Sequence, residues 1–138
     1  MLLNFIKFFT MRFYLKGFYR LLWLFKGILR RKDDIYVLPS APNQLKIKLN
    51  HKHYYQWMMA STNYYGFGVR GVMERLLKPG DIFADVGANI GYISLFARSL
   101  VGPEGFIIAF EPDPKAITLY KGNMVLNSIE NYALIEKV

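Results

Sequence analysis

Apolar and polar positions along this chain change period three times, and each change marks a different kind of segment. Between Arg12 and Arg31 the spacing is helical. Leu15, Phe18, Leu21, Leu22, Leu24, Phe25, Ile28 and Leu29 fall on one side of a wheel with Tyr14. Arg12, Lys16, Arg20, Lys26, Arg30 and Arg31 fall on the other, with Tyr19 and Trp23 among them. From Ile35 the pattern turns to short runs. Ile35–Leu38 precedes a Pro-Ser-Ala-Pro turn, and Gln44–His51 alternates Leu45, Ile47 and Leu49 with Lys46 and Lys48, so the two runs predict a small hairpin. Helical spacing returns at Val69, Val72, Met73, Leu76 and Leu77 and stops at Lys78-Pro79-Gly80.

The remainder alternates between two kinds of element. Ile82–Val86 reads as a buried strand, Tyr92–Leu100 as a helix, and Phe106–Phe110 as a second buried strand. A helix from Pro114 runs through Ile117, Leu119, Tyr120, Met124 and Val125, and Tyr132–Ile135 reads as a third strand. Strand, helix, strand, helix, strand is half of a doubly wound, Rossmann-like α/β domain with a parallel sheet. Three stretches result: a basic helical leader over 1–32, a hairpin and helix over 33–79, and the α/β half-domain over 80–138.

Charge sharpens this division. Residues 1–32 hold eight Lys and Arg and no acid, whereas the remaining ten basic residues are balanced by all ten acidic ones. The net charge of +8 therefore belongs to the leader, and a nucleic-acid partner is not expected. No uncharged run in the leader exceeds six residues, against about 20 needed to span a bilayer. An amphipathic basic helix suits two surfaces: an anionic membrane interface, with the cations among the headgroups, or the face of a protein domain. The expected location is the cytoplasm, with peripheral membrane contact through Arg12–Arg31. The absence of cysteine removes disulfides, thiol nucleophiles and zinc ribbons. His51 and His53 flank Lys52 without an acidic neighbour, so no metal site is expected.

Chemistry concentrates at Asp85-x-Gly87-x-Asn89-x-Gly91, a glycine turn between a strand and a helix. Such a turn lets backbone N–H groups approach an anionic group. A dinucleotide fingerprint would need glycine at the places of Asn89 and Tyr92, and a phosphate loop would need Gly-Lys-Ser/Thr. An acid two residues before the first glycine instead suits a ligand with positive charge near the strand end. S-adenosylmethionine, with its α-ammonium, sulfonium and carboxylate, fits that pattern. Glu111 stands 20 residues after Gly91, at the carboxyl end of the next strand, where an acid can accept both ribose hydroxyls.

Lys78 to Tyr92, Val101-Gly102-Pro103-Glu104-Gly105, Ala109-Phe110-Glu111-Pro112-Asp113-Pro114, Asn123 and Leu126-Asn127 together resemble the FkbM family of methyltransferases. The resemblance covers about Gly66 to Val138. It implies a class I methyltransferase fold, S-adenosylmethionine as methyl donor, and transfer to a hydroxyl of a sugar or other small-molecule acceptor. By position, Asp85, Gly87, Asn89 and Gly91 would surround the methionine part, Glu111 would hold the ribose, and Asp113 would border the adenine. A complete domain of this kind has seven strands and this chain reaches only the third. The expectation is a partial domain, inactive alone, whose first strand lies at a sheet edge. Catalytic residues are not assigned. Two other readings stay open: half of an NAD-dependent oxidoreductase, and a non-catalytic protein that binds a membrane surface or a partner.

Overall fold

Three of the apolar runs become strands and pair in chain order, all parallel. In the computed structural model, which describes residues 35–38, 44–50, 53, 55, 56, 59 and 67–137, two short strands come first, Ile35–Val37 (β1) and Lys46–Lys48 (β2). They are followed by Phe67–Leu76 (α1), Ile82–Val86 (β3), Tyr92–Val101 (α2), Phe106–Phe110 (β4), Pro114–Leu126 (α3) and Tyr132–Ile135 (β5). β1 and β2 form a two-stranded sheet, as the alternation predicts. The larger sheet has the order β3-β4-β5. Its registers set Asp85 beside Ala109 and Ile108 beside Ala133. This is the Rossmann-like half-domain that the alternation of elements predicts.

The chain divides into two compact units, Met1–Tyr36 with Leu49–Tyr65, and Val37–Lys48 with Gly66–Val138. In the first, the His53 N–H donates to the Asn50 carbonyl and the Asn50 N–H to Gln56 Oε1. The leader helix expected over Arg12–Arg31, and His51, lie outside the described residues. Among the described residues no helix is long and apolar enough to cross a membrane.

The second unit holds the sheet and its core. β4 is the central strand, and Ile107 and Ala109 are fully buried. Ile107 packs with Met73 of α1 and Phe96, Ala97 and Val101 of α2, with Leu77, Phe83, Leu100 and Tyr132 at the margin. α2 ends at Gly102, whose N–H donates to the Arg98 carbonyl, and the Arg98 guanidinium donates to the carbonyls of Gly105 and Pro103. Gly105 admits no side chain: a Cβ there would lie 2.4 Å from Val101 Cγ2 and 2.9 Å from the Asp81 carbonyl oxygen.

Three details depart from the pattern read along the chain. β3 is not buried on both faces as its apolar run suggests, and among the described residues it is the edge strand that the strand count predicts. It pairs with β4 alone among the described residues, and Ile82 and Val86 are 68% and 79% exposed while Asp85 on the opposite face is buried. A strand with one neighbour and one covered face shows alternation, whereas a buried parallel strand shows a continuous apolar run. α1 buries Met73 but leaves Val69, Val72 and Leu76 exposed, where with Leu77 and Phe83 they line an apolar groove of about 420 Å³. α3 buries Ala116, Ile117, Tyr120, Asn123 and Met124, whereas Val125 is exposed. The buried stripe is thus displaced from the one hydropathy selects, and an asparagine stands within it.

Candidate functional site

The turn between β3 and α2 is built from residues that tolerate a left-handed backbone. Gly87, Asn89 and Gly91 have φ of 79°, 49° and 87°. Glycine adopts that region freely and asparagine more readily than other L residues, so the alternation of these three residues is a backbone requirement. The N–H groups of Gly87 and Ala88 both donate to the Phe110 carbonyl, at 2.9 and 3.0 Å, tying the start of the turn to the end of β4. The Gly91 N–H donates back to the Ala88 carbonyl at 2.8 Å. Gly91 also lies flush against α3, because a Cβ there would meet Tyr120 Cδ2 at 3.0 Å and Met124 Cε at 3.1 Å. Around Gly87 the space is open.

Glu111 follows β4 directly and is only 7% exposed. Its N–H donates to the Ile135 carbonyl at 3.0 Å. Its carboxylate joins two loops: Oε2 accepts the Asn89 N–H at 2.7 Å and Oε1 accepts the Asp113 N–H at 2.9 Å. A carboxylate has about four acceptor positions, so two further donors can be received. This is the requirement for gripping a vicinal diol.

Asp85 is equally buried, and its Oδ2 accepts the Ser94 hydroxyl at 2.6 Å. Burial pushes the Asp85 carboxyl above its ordinary value, the hydroxyl and backbone N–H of Ser94 oppose the rise, and the Glu111 charge adds to it. A buried carboxyl raised by burial and by a neighbouring carboxylate marks a site suited to a cationic group. Asp113 has a different setting. It is exposed and caps α3, with Oδ1 accepting the Lys115 N–H at 3.1 Å ahead of Pro114 in the first turn.

The structure therefore brings Asp85, Asn89 and Glu111 to one end of the sheet with the two glycines, and connects Asp113 to them through its backbone. Residue chemistry along the chain did not single out four neighbours. Ser94 holds Asp85, and Asn123 Nδ2 donates to the Ile90 carbonyl at 2.8 Å. Tyr120 is fully buried against Gly91, and its hydroxyl has no hydrogen-bond partner among the described residues. Burial raises its pKa to about 12, against a smaller opposing effect of Ser94. The Arg70 guanidinium lies 4.7 Å over the Phe96 ring, with Nη1 reaching the Tyr92 hydroxyl at 3.4 Å. Ser94 had a legible signal, as a small polar residue nine positions after Asp85 on the helix leaving the turn, and Asn123 stood among the residues that carry the family resemblance. The α1 groove carries none of these acids. No group of three or more His, Cys, Asp or Glu suited to a metal occurs among the described residues.

No family model matches the chain. Over 57 residues it is 39% identical to the probable cobalt-precorrin-6B C(15)-methyltransferase (decarboxylating) of Sulfolobus acidocaldarius, covering 41% of this chain and 30% of that protein. Over 53 residues it is 43% identical to the 31-O-demethyl-FK506 methyltransferase FkbM of Streptomyces tacrolimicus, covering 38% of this chain and 20% of that protein. The matched part thus amounts to less than a third of the length of these curated relatives. Among solved structures, a SAM-dependent O-methyltransferase from Thermotoga maritima superposes with a TM-score of 0.49 at 21% identity, over 59% of this chain and 32% of that one. P. horikoshii TYW2 in complex with MeSAdo gives a TM-score of 0.46 at 24% identity, over 77% of this chain and 37% of that one.

Proposed function

We propose that this chain carries the cofactor-binding part of an S-adenosylmethionine-dependent methyltransferase of the FkbM kind, acting on a hydroxyl oxygen of a small-molecule or glycan acceptor. One observation carries the reading: the Glu111 carboxylate is held by the N–H groups of Asn89 and Asp113, with acceptor positions to spare, beside a glycine turn that follows a buried acid. The similarity to two curated methyltransferases supports the same class. The FkbM assignment and the oxygen acceptor rest on the sequence motif and on the similarity to the Streptomyces enzyme.

The residues present fit this cofactor. The space around Gly87 is open, no phosphate loop competes for the turn, and two buried acids supply acceptors of the kind an ammonium and a diol need. Bound S-adenosylmethionine supplies an electrophilic methyl group on its sulfonium. In this reading Glu111 binds the ribose hydroxyls, Asp85 faces the positive charge of the methionine part, and the turn from Gly87 through Asn89 to Gly91 admits that part close to the backbone. Asp113, fixed as a helix cap, stands at the adenine rim. Together these residues orient the donor, and positioning is the main contribution a protein makes to such a displacement. No residue of this chain is assigned to the acceptor or to proton removal. We further propose that Arg12–Arg31 rests on anionic membrane.

Titration calorimetry of the protein with S-adenosylmethionine and with NAD tests the reading. S-adenosylmethionine is expected to bind, and Glu111→Ala to weaken it at least about tenfold by removing charge-assisted hydrogen bonds of roughly 1.5–3 kcal/mol each. Unchanged binding by that variant would remove the ribose assignment, and a preference for NAD would overturn the reading.

A further inference from the structure

Asn123 in α3 and Asn127, the C-cap one turn on, both direct their carboxamides at backbone. Asn127 clasps Lys46: its Oδ1 accepts the Lys46 N–H at 2.6 Å and its Nδ2 donates to the Lys46 carbonyl at 2.6 Å. Its Nδ2 also donates to the Asn123 carbonyl at 2.7 Å. Asn123 divides its carboxamide differently. Its Oδ1 accepts the Lys48 N–H at 2.7 Å, and its Nδ2 donates to the Ile90 carbonyl at 2.8 Å. A carboxamide presents the same donor and acceptor as a peptide group, so β2 is received by α3 much as it would be by another strand.

Ile90 stands between Asn89 and Gly91, so the glycine turn is held on two successive residues. Glu111 accepts a hydrogen bond from the Asn89 N–H, and Asn123 Nδ2 donates one to the Ile90 carbonyl. Docking β2 alone would need only the two-point clasp of Asn127. The bond from Asn123 to Ile90 contributes nothing to that clasp, yet it retains a fully buried carboxamide where hydropathy favours an apolar side chain.

We infer that Asn123 is a positioning residue for the ligand at the glycine turn, fixing the Ile90 carbonyl while anchored by the strand Lys46–Lys48. The inference rests on the function proposed above, since the ligand is taken to be S-adenosylmethionine. It adds that the turn's geometry depends on a side chain of α3, 33 residues downstream of Ile90, and not on the clasp that docks β2.

Asn123→Asp and Asn127→Asp separate this role from simple docking. Each keeps side-chain size and replaces a donor by an acceptor, but only the first sets an oxygen against the Ile90 carbonyl. Both variants of the intact protein are measured by calorimetry with S-adenosylmethionine, by thermal melting, and by amide hydrogen exchange over residues 87–92. Asn123→Asp is expected to weaken binding at least about tenfold and to speed exchange in the turn. Asn127→Asp is expected to lose thermal stability with binding changed less than about twofold and exchange in the turn unaltered. Equal losses of affinity in the two variants, or wild-type exchange at residues 87–92 in Asn123→Asp, would overturn the inference. If the unaltered protein does not bind S-adenosylmethionine, the proposed function fails, and hydrogen exchange still decides whether Asn123 holds the turn. Asn123→Ser, too short to reach Ile90 and free of buried charge, gives the same comparison if the aspartate variant does not fold.

Discussion

Glu111 Oε2 and the backbone N–H of Asn89 meet at 2.7 Å across 22 residues of sequence. The bond joins the loop after β4 to the turn after β3. The side chain that would grip a ribose therefore also sets the backbone that would meet the methionine part. Neighbouring strands of a parallel sheet end side by side, which is why ligands of such folds collect at the carboxyl ends of the strands.

Asp85 yields a prediction with an unusual sign. Its native pKa lies above the ordinary 3.8, chiefly because burial disfavours the charge. The stability it contributes is full below pH 3.8 and is lost as pH rises through the raised native value. Asp85→Asn is therefore expected to melt at a higher temperature than the unaltered protein at pH 7, with the difference vanishing near pH 3.5 (about the unperturbed carboxylate range). The same substitution is expected to weaken S-adenosylmethionine binding about tenfold or more, because an ammonium loses its counter-charge. Melting curves at the two pH values and calorimetry at pH 7 check both.

The two glycines of the turn are expected to differ. Gly87→Ala costs the left-handed backbone alone, about 1–2 kcal/mol. Gly91→Ala adds a Cβ at 3.0 Å from the Tyr120 ring and 3.1 Å from Met124, for a total of about 2–4 kcal/mol. Urea unfolding of both variants measures the order, and equal losses would show that α3 yields freely.

Tyr120→Phe keeps the ring against Gly91 and removes a buried hydroxyl without a partner among the described residues. Stability at pH 7 is expected to hold or to rise by about 1 kcal/mol. Because burial lifts this phenol from 10.0 to about 12, its contribution to stability is full below pH 10 and is lost as pH rises through the native value. The phenylalanine variant is expected to lack that part of the alkaline decline, which melting curves from pH 9 to 12 (spanning the ordinary tyrosine value of about 10) would show.

The leader is expected to bind anionic vesicles and to release them in salt, since each cation at such a surface contributes roughly 1 kcal/mol and is screened by ions. Co-sedimentation of a 1–32 peptide and of the whole protein, at low and high salt, measures this. Binding by the peptide without binding by the protein would mean that the apolar face is already covered and the membrane proposal is wrong.

The local pattern determined much of this half-domain. Ile82–Val86, Phe106–Phe110 and Tyr132–Ile135 are strands at the bounds their apolar runs suggest, because a charged residue, glycine or asparagine stands directly at both ends of each run. The turn was legible for the same reason: only certain residues accept a positive φ, and three of them stand at alternate positions from Gly87 to Gly91. The spacing from Gly91 to Glu111 was legible because a helix and a return strand take up a nearly constant length of chain.

Tertiary structure alone decided which polar side chains turn inward. Hydropathy places Asn123 on the outside of α3 and Val125 inside, and the fold reverses them. Asn123 can be buried because Lys48 and Ile90, 75 and 33 residues away, arrive with a donor and an acceptor for its carboxamide. The exposure of Ile82 and Val86 is likewise set by the fold, since it depends on whether a neighbour covers them. Burial of a polar group is favourable only where a partner meets it, and no local window contains partners so distant.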